Sequence, residues 1–240
     1  VLAAISFLTR IPVPGAAEFS ATDVARAAGW FPLVGMLLGG IYSLAAILLK
    51  DHLPLAVVAV LLVALDALFT GALHFDGLAD TADGFGGGKN IEDILRIMRD
   101  HLIGSYGGVA LALVVAMKVT AYAALLDRSH WIPAVILTPA LGRWSILLLT
   151  GILPYARPTP SAIQGMGKRS LFLGTVSILA VIIAEMSPQP WIAMGAVIVM
   201  SAVFGLYCKH KIAGITGDTL GASVQLCETV SLLAFLWRWQ

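Results

Sequence analysis

The sequence predicts an all-α fold: a polytopic integral membrane helical bundle of about seven transmembrane helices with cytoplasmic catalytic loops. Composition is the first sign. Of 240 residues, 59% are hydrophobic and 12% are charged, about half the charged fraction near 25% of an ordinary soluble domain. Mean hydropathy is +0.90. So little charge cannot coat a globule in water, which argues against a soluble enzyme, a disordered chain and a nucleic-acid binder. The net charge of +1 adds no global bias toward a polyanion.

The second sign is length. A membrane helix needs about 20 mostly apolar residues, and seven segments come close: Phe31–Leu49, Leu55–Leu73, Gly107–Leu126, Ile132–Ile152, Leu171–Ala184, Trp191–Cys208 and Leu220–Trp239. The fifth is short as drawn, and the seventh carries Glu228. Pro12 and Pro14 break the first apolar run, so residues 1–30 are expected to form an interfacial or re-entrant piece. With Arg10 in the same run, no cleavable signal is expected. The whole chain, 1–240, reads as one membrane domain.

The third sign is charge placement. Arg10, Arg26, Lys89, Arg96, Arg99, Arg157, Lys168, Arg169, Lys209 and Lys211 fall on one side of these spans, and Lys50, Arg128 and Arg238 on the other. Ten against three puts the first side in the cytoplasm, with the N-terminus in and the C-terminus out. Asp76, Asp80, Asp83, Glu92, Asp93, Asp100 and Asp218 gather on that side too. The positive-inside rule does not act on acids, so they call for a cause of their own.

Asp76, Asp80 and Asp83 are spaced i, i+4, i+7 in the run His74-Phe75-Asp76-Gly77-Leu78-Ala79-Asp80-Thr81-Ala82-Asp83-Gly84. On a helix these positions share one face, within about 60° of arc. Like charges so placed destabilise a bare helix. A divalent cation relieves them, and Mg²⁺ suits carboxylate and water oxygens shared with substrate phosphates. A solvated acidic helix end is the plainer alternative. His74 points away from Asp83 and is read as a structural or substrate-contact residue.

Phe85-Gly86-Gly87-Gly88-Lys89 is either a linker or a mobile loop that brings Lys89 to a phosphate. It matches no P-loop. Residues Glu92 to His101 form an amphipathic helix whose Arg96, Arg99 and Asp100 suit a diphosphate and its metal, or else lie on the membrane surface. Gly104-Ser105-Tyr106-Gly107-Gly108 opens the third span, where free amides can bind phosphate oxygens. Asp218 or Thr219 is expected to cap the last span. Glycines 214, 217 and 221 let a backbone or a ligand come close. Asp66, Lys118, Arg143 and Glu228 lie inside spans and need partners. Cys208 and Cys227 form no C-x-x-C and read as small buried residues.

Together these motifs resemble the cobalamin synthase family, the adenosylcobinamide-GDP ribazoletransferases. The resemblance is carried by Phe7-Leu8-Thr9-Arg10-Ile11-Pro12-Val13-Pro14, Phe31-Pro32-Leu33-Val34-Gly35, the long Asp run, Ile97-Met98-Arg99-Asp100 with Ile103-Gly104-Ser105-Tyr106-Gly107, and Thr216-Gly217-Asp218-Thr219-Leu220-Gly221-Ala222. It implies that adenosylcobinamide-GDP and α-ribazole, or its 5′-phosphate, give adenosylcobalamin, or its phosphate, and GMP. It implies Mg²⁺ dependence, with Asp76, Asp80 and Asp83 as metal ligands and catalytic residues. Asp83 is the expected base, by analogy with the final Asp of CDP-alcohol phosphotransferases. Arg10, His74, Lys89, Arg96, Arg99, Asp100, Ser105, Thr216 and Asp218 are the expected substrate contacts. A multi-pass protein of a bacterial or archaeal inner membrane is implied, with the lipid bilayer as partner, no nucleic acid, and a homo-oligomer left open. The chain departs from the family pattern at His101, where Ser is frequent, and at Gln225, where Glu is expected. A CDP-alcohol phosphotransferase of lipid synthesis and an ion-coupled transporter are the alternatives. The first lacks its Arg, since Asp80 follows Ala79. The second finds no internal repeat.

Overall fold

A computed structural model describes residues 1–100, 102–157 and 161–237. Its helices are α1 (Leu2–Leu8), α2 (Ala21–Ala27), α3 (Phe31–Leu49), α4 (Leu55–Thr70), α5 (Leu73–Gly87), α6 (Ile91–Ile97), α7 (Ser105–Leu126), α8 (Ile132–Thr150), α9 (Lys168–Glu185), α10 (Gln189–Ile212) and α11 (Gly217–Leu236). Among the described residues the one extended pairing is a single parallel bridge, Tyr155 to Ile215.

Among the described residues, five helices are long and apolar enough to cross a membrane, or six if α4 and α5 count as one bent span. The count of about seven is not matched by this length and composition alone. The expected fifth span coincides with α9, but Lys168, Arg169 and Glu185 stand at its ends. The run between them, at about 1.5 Å per residue, falls short of a bilayer core about 30 Å thick. Residues 21–30 also differ from expectation. They continue into α3 as one stretch, Ala21–Leu49, started by a capping box in which Ser20 accepts from the Asp23 amide.

α8 and α11 form the centre. α3 lies against α8 because Gly35 and Gly39 leave no side chain at the crossing. A Cβ at Gly35 would stand 2.4 Å from the Pro139 carbonyl oxygen, and one at Gly39 would stand 2.6 Å from the Ile136 Cα. This is small-residue packing of the kind membrane helices use. Apolar side chains such as Leu44, Leu48, Leu68, Val109 and Leu206 face outward, as a lipid-facing surface requires.

The expected second span stops early. Gly71 (φ 62°) and Ala72 (φ 58°) both take the left-handed conformation, and the chain turns by 91° between α4 and α5. Arg10 is wedged at this bend. Its amide donates to the Phe69 carbonyl at 2.6 Å, and a Cβ at Gly71 would stand 2.2 Å from Arg10 Nε. Only glycine fits there on both counts.

Candidate active site

α5 carries the Asp run and is held at three places. Gly77 meets the start of α11, where a Cβ would stand 2.6 Å from the Asp218 carbonyl oxygen. Asp83 meets the start of α7, where Gly104 N–H donates to Oδ2 at 2.7 Å and Gly107 N–H donates to Oδ1 at 2.9 Å. At the far end Lys211 Nζ donates to the Phe85 carbonyl at 2.8 Å. This docking brings Asp76 and Asp80 beside Asp218. Asp80 lies in the field of Asp76, Asp218 and Asp83, relieved by Arg157.

Asp218 is itself fixed. Arg157 Nη2 donates to its Oδ2 at 2.7 Å, and the Thr216 hydroxyl donates to the same oxygen at 3.4 Å. The Arg157 loop is pinned to the segment before α11. Ala156 N–H donates to the Ile215 carbonyl at 2.8 Å, and Ile215 N–H donates to the Pro154 carbonyl at 2.9 Å. Gly214 allows this contact, since a Cβ would stand 2.4 Å from the Pro154 oxygen. Neither Asp218 nor Thr219 caps α11. Thr216 does, accepting from the Thr219 amide at 3.2 Å, which leaves the Asp218 carboxylate for the site.

Asp76, Arg157 and Asp218 open onto a cavity of about 340 Å³ whose wall also includes His74, Phe7, Leu8, Ile163, Met166 and Gly217. Segments that the sequence placed on one side of the membrane thus meet at one end of the bundle. Arg157 was not singled out by sequence reasoning. Its partner is 61 positions away, and no local pattern marks it.

The other expected residues separate into groups. The expected set of Asp76, Asp80 and Asp83 is not assembled: among the described residues no group of three or more His, Cys, Asp or Glu side chains stands ready to hold one ion. Asp83 departs because both its oxygens serve the first turn of α7. Two of the amides expected to bind phosphate there, those of Gly104 and Gly107, are taken by the same carboxylate. Asp100 and Ser105 line a separate hollow beside Asp83. Arg96 is exposed and pairs with Asp93 at 2.5 Å; this holds the Asp93 carboxyl below the usual carboxylate range, first through the Arg96 hydrogen bond and then through the Lys89 amide. Lys89 and Arg99 are exposed. Lys89, Arg96, Arg99, Asp100 and Ser105 are all absent from the cavity wall around Asp76 and Asp218.

Below the cavity the ionisable residues of the spans close on one another. Lys118 Nζ donates to Asp66 at 3.0 Å, Gln225 at 2.9 Å and Glu228 at 2.6 Å. Arg143 reaches Glu228, and Asp66 at 3.4 Å. Tyr42 donates to Asp66 at 3.1 Å. Two cations and two carboxylates balance, and the cluster ties α3, α4, α7, α8 and α11 together. Gln225 is fully buried here and serves Lys118 rather than the site around Asp218.

The model of the family "Cobalamin-5-phosphate synthase" matches residues 1–236. The chain belongs to this family. Among curated relatives, a protein of Syntrophobacter fumaroxidans is 36% identical, covering 96% of this chain and 95% of the relative. One of Clostridium botulinum (strain Kyoto / Type A2) is 38% identical, covering 97% and 95%, and one of Desulfitobacterium hafniense is 35% identical, covering 96% and 93%. Each is named adenosylcobinamide-GDP ribazoletransferase. No solved structure matches the chain. Of the two positions expected to depart from the family pattern, His101 lies outside the described residues, and Gln225 serves the buried cluster.

Proposed function

We propose that this chain joins adenosylcobinamide-GDP to α-ribazole or its 5′-phosphate, giving adenosylcobalamin or its phosphate and GMP. The supporting observation is the meeting of Asp76 with the Asp218–Arg157 pair in the wall of one cavity, with Asp80 in the field of the same groups, in a chain whose relatives carry the transferase name. In this reaction an oxygen–phosphorus bond forms from a ribazole hydroxyl to the cobinamide-bearing phosphorus. The bond to GMP breaks, and its electron pair leaves with GMP. Asp218 Oδ1, the oxygen that Arg157 and Thr216 leave free, accepts the hydroxyl proton. Arg157 fixes that carboxylate, so little reorientation is needed as the reaction proceeds.

The acid cluster is suited to Mg²⁺. One cation, Arg157, acts on Asp80 against three neighbouring carboxylates, and Mg²⁺ takes one or two carboxylates with the rest of its shell from phosphates and water. Asp76 and Asp80 are the residues that would hold it. Bound there, the ion would neutralise diphosphate charge as GMP leaves. The ten-to-three division of Lys and Arg supports an inner-membrane protein with this site on the cytoplasmic face.

The test is release of GMP by the purified protein in detergent. GMP should appear only when adenosylcobinamide-GDP, an α-ribazole substrate and Mg²⁺ are all present, and EDTA should stop it. No GMP with all three supplied overturns the reading.

A further inference from the structure

The cavity of about 340 Å³ is lined by residues from five separate parts of the chain: Phe7 and Leu8 of α1, His74 and Asp76 of α5, Ile146 of α8, the loop residues Tyr155, Arg157, Ile163 and Met166, and Gly217, Asp218 and Leu220 of α11. Its wall is divided. Asp76, Arg157 and Asp218 occupy one part, and Phe7, Leu8, Ile146, Ile163, Met166 and Leu220 supply an apolar remainder. His74 is 2% exposed and its Nδ1 has no hydrogen-bond partner. A buried polar nitrogen left without a partner costs stability unless a ligand or water satisfies it.

Size separates the two substrates. Pockets for small molecules span about 300–1,000 Å³, and this one stands at the lower end. A fused aromatic base on a ribose is of that scale. A corrin macrocycle carrying a nucleoside diphosphate is far larger and must lie mostly outside. Polarity agrees, since the base is apolar and the ribose is not.

We infer that this cavity is the acceptor-nucleoside subsite: the aromatic base lies against Phe7, Leu8, Ile163 and Met166, and the ribose hydroxyl that reacts faces Asp76 and Asp218. The inference rests on the proposed reaction and adds where its smaller substrate binds. The short α1 and the turn Ala162–Gly165 then act as specificity elements. The corrinoid approaches from the open side, so the diphosphate meets the acceptor at the acid cluster.

Gly217 offers a variant that spares the fold. A Cβ there meets nothing within 4 Å, yet the residue lines the cavity, so Gly217→Leu places a side chain in open space at the wall. KM for each substrate is measured by GMP release, with α-ribazole and with its 5′-phosphate. Gly217→Leu and Met166→Trp should raise KM for the ribazole substrate about tenfold or more, a loss of one good contact's worth of affinity. KM for adenosylcobinamide-GDP should stay within about twofold. An unchanged ribazole KM, or a rise confined to the corrinoid substrate, overturns the subsite.

A second measurement needs no variant. An aryl azide derivative of α-ribazole is photolysed on the wild-type protein in detergent without the corrinoid. Label recovered in peptides containing 7–8, 73–76, 161–166 or 217–221, and blocked by excess α-ribazole, supports the subsite. Blockable label found only elsewhere, such as 97–106, overturns it. Wild-type protein that releases no GMP marks failure of the reaction itself, whereas active protein with label elsewhere marks failure of the subsite alone.

Discussion

Arg157 and Asp218, joined at 2.7 Å, tie the loop after α8 to the first turn of α11. The pair is partly buried, with side-chain exposures of 15% and 23%, so water weakens it less than it would a surface pair. Asp218→Asn tests what the carboxylate does. Thr216 supplies the cap, so the start of α11 keeps its hydrogen bonds, and the thermal midpoint should fall only by the ionic share of the Arg157 pair, since Asn still offers Arg157 an oxygen. GMP release should fall about 10²-fold or more, because Asn accepts no proton. Arg157→Lys should give a smaller loss, since an ammonium keeps the charge but not the fixed fork. Normal turnover in Asp218→Asn would remove this residue from the chemistry.

The acids of α5 should divide by role. Asp83→Asn leaves one oxygen to serve two amides and turns an NH₂ toward the other, so it should lower the thermal midpoint and slow the reaction together. Asp76→Asn and Asp80→Asn touch no such bond and should leave the midpoint in place while turnover falls about 10²-fold or more. They should also demand more Mg²⁺ for half-maximal rate, whereas Asp83→Asn should not. Equal Mg²⁺ dependence in all three would return Asp83 to the ligand set.

The buried cluster predicts a stability effect with a rescue. Lys118→Met leaves Asp66 and Glu228 facing Arg143 alone. Breaking a buried pair in this way costs about 3–5 kcal/mol, read as a large drop in thermal midpoint in detergent. Adding Glu228→Gln restores charge balance and should recover part of the loss, a coupling that a double-mutant cycle measures. Gln225→Glu adds a third carboxylate to the two cations. It should destabilise the fold and leave the Mg²⁺ requirement as it was.

How far the sequence revealed this arrangement follows from the range of each interaction. Apolar runs are local, so six of the expected segments coincide with α3, α7, α8, α9, α10 and α11. The Asp run and the final motif were legible as motifs for the same reason. The bend after α4 was not, because Ala72 takes a left-handed backbone that alanine does not favour and only the fold imposes. The spacing of Asp76, Asp80 and Asp83 gave a shared face but not what lies opposite. Two glycine amides of α7 claim Asp83, and α11 claims the side of Asp76 and Asp80. The partners of Gln225 and Arg157 lie far along the chain, and no periodicity carries that information.

Topology is open to direct labelling. Cys208 and Cys227 are buried and free, so replacing them gives a background for single cysteines. Asn90 is a poor site, because its side chain caps α6 by accepting from the Asp93 amide at 2.9 Å. Lys89 is exposed, and only its backbone amide is used there, donating to Asp93. Lys89→Cys should react with an impermeant maleimide in inverted vesicles and stay unlabelled in intact cells. Labelling from outside intact cells would reverse the proposed orientation.

The crossing of α5 and α11 yields the most specific expectation. At Gly77 an added Cβ would stand 2.6 Å from the Asp218 carbonyl oxygen and 3.2 Å from its Cα. Both are backbone atoms, which cannot swing away, so the helices must separate. At Gly221, on the other helix, the nearest atom would be the Gly77 Cα at 3.3 Å, a tight contact that a few tenths of an ångström relieve. Gly77→Ala should therefore cost about 1–3 kcal/mol of stability, the range for overpacking, and move Asp76 and Asp80 away from Asp218. Turnover should fall about 10²-fold, as a misplacement near 1 Å can cause. Gly221→Ala should keep most of its activity. The two alanines add the same methyl group to the same crossing, so their difference isolates helix separation from helix propensity. Equal activity in the two would show that the reaction does not depend on the close approach of α5 to α11.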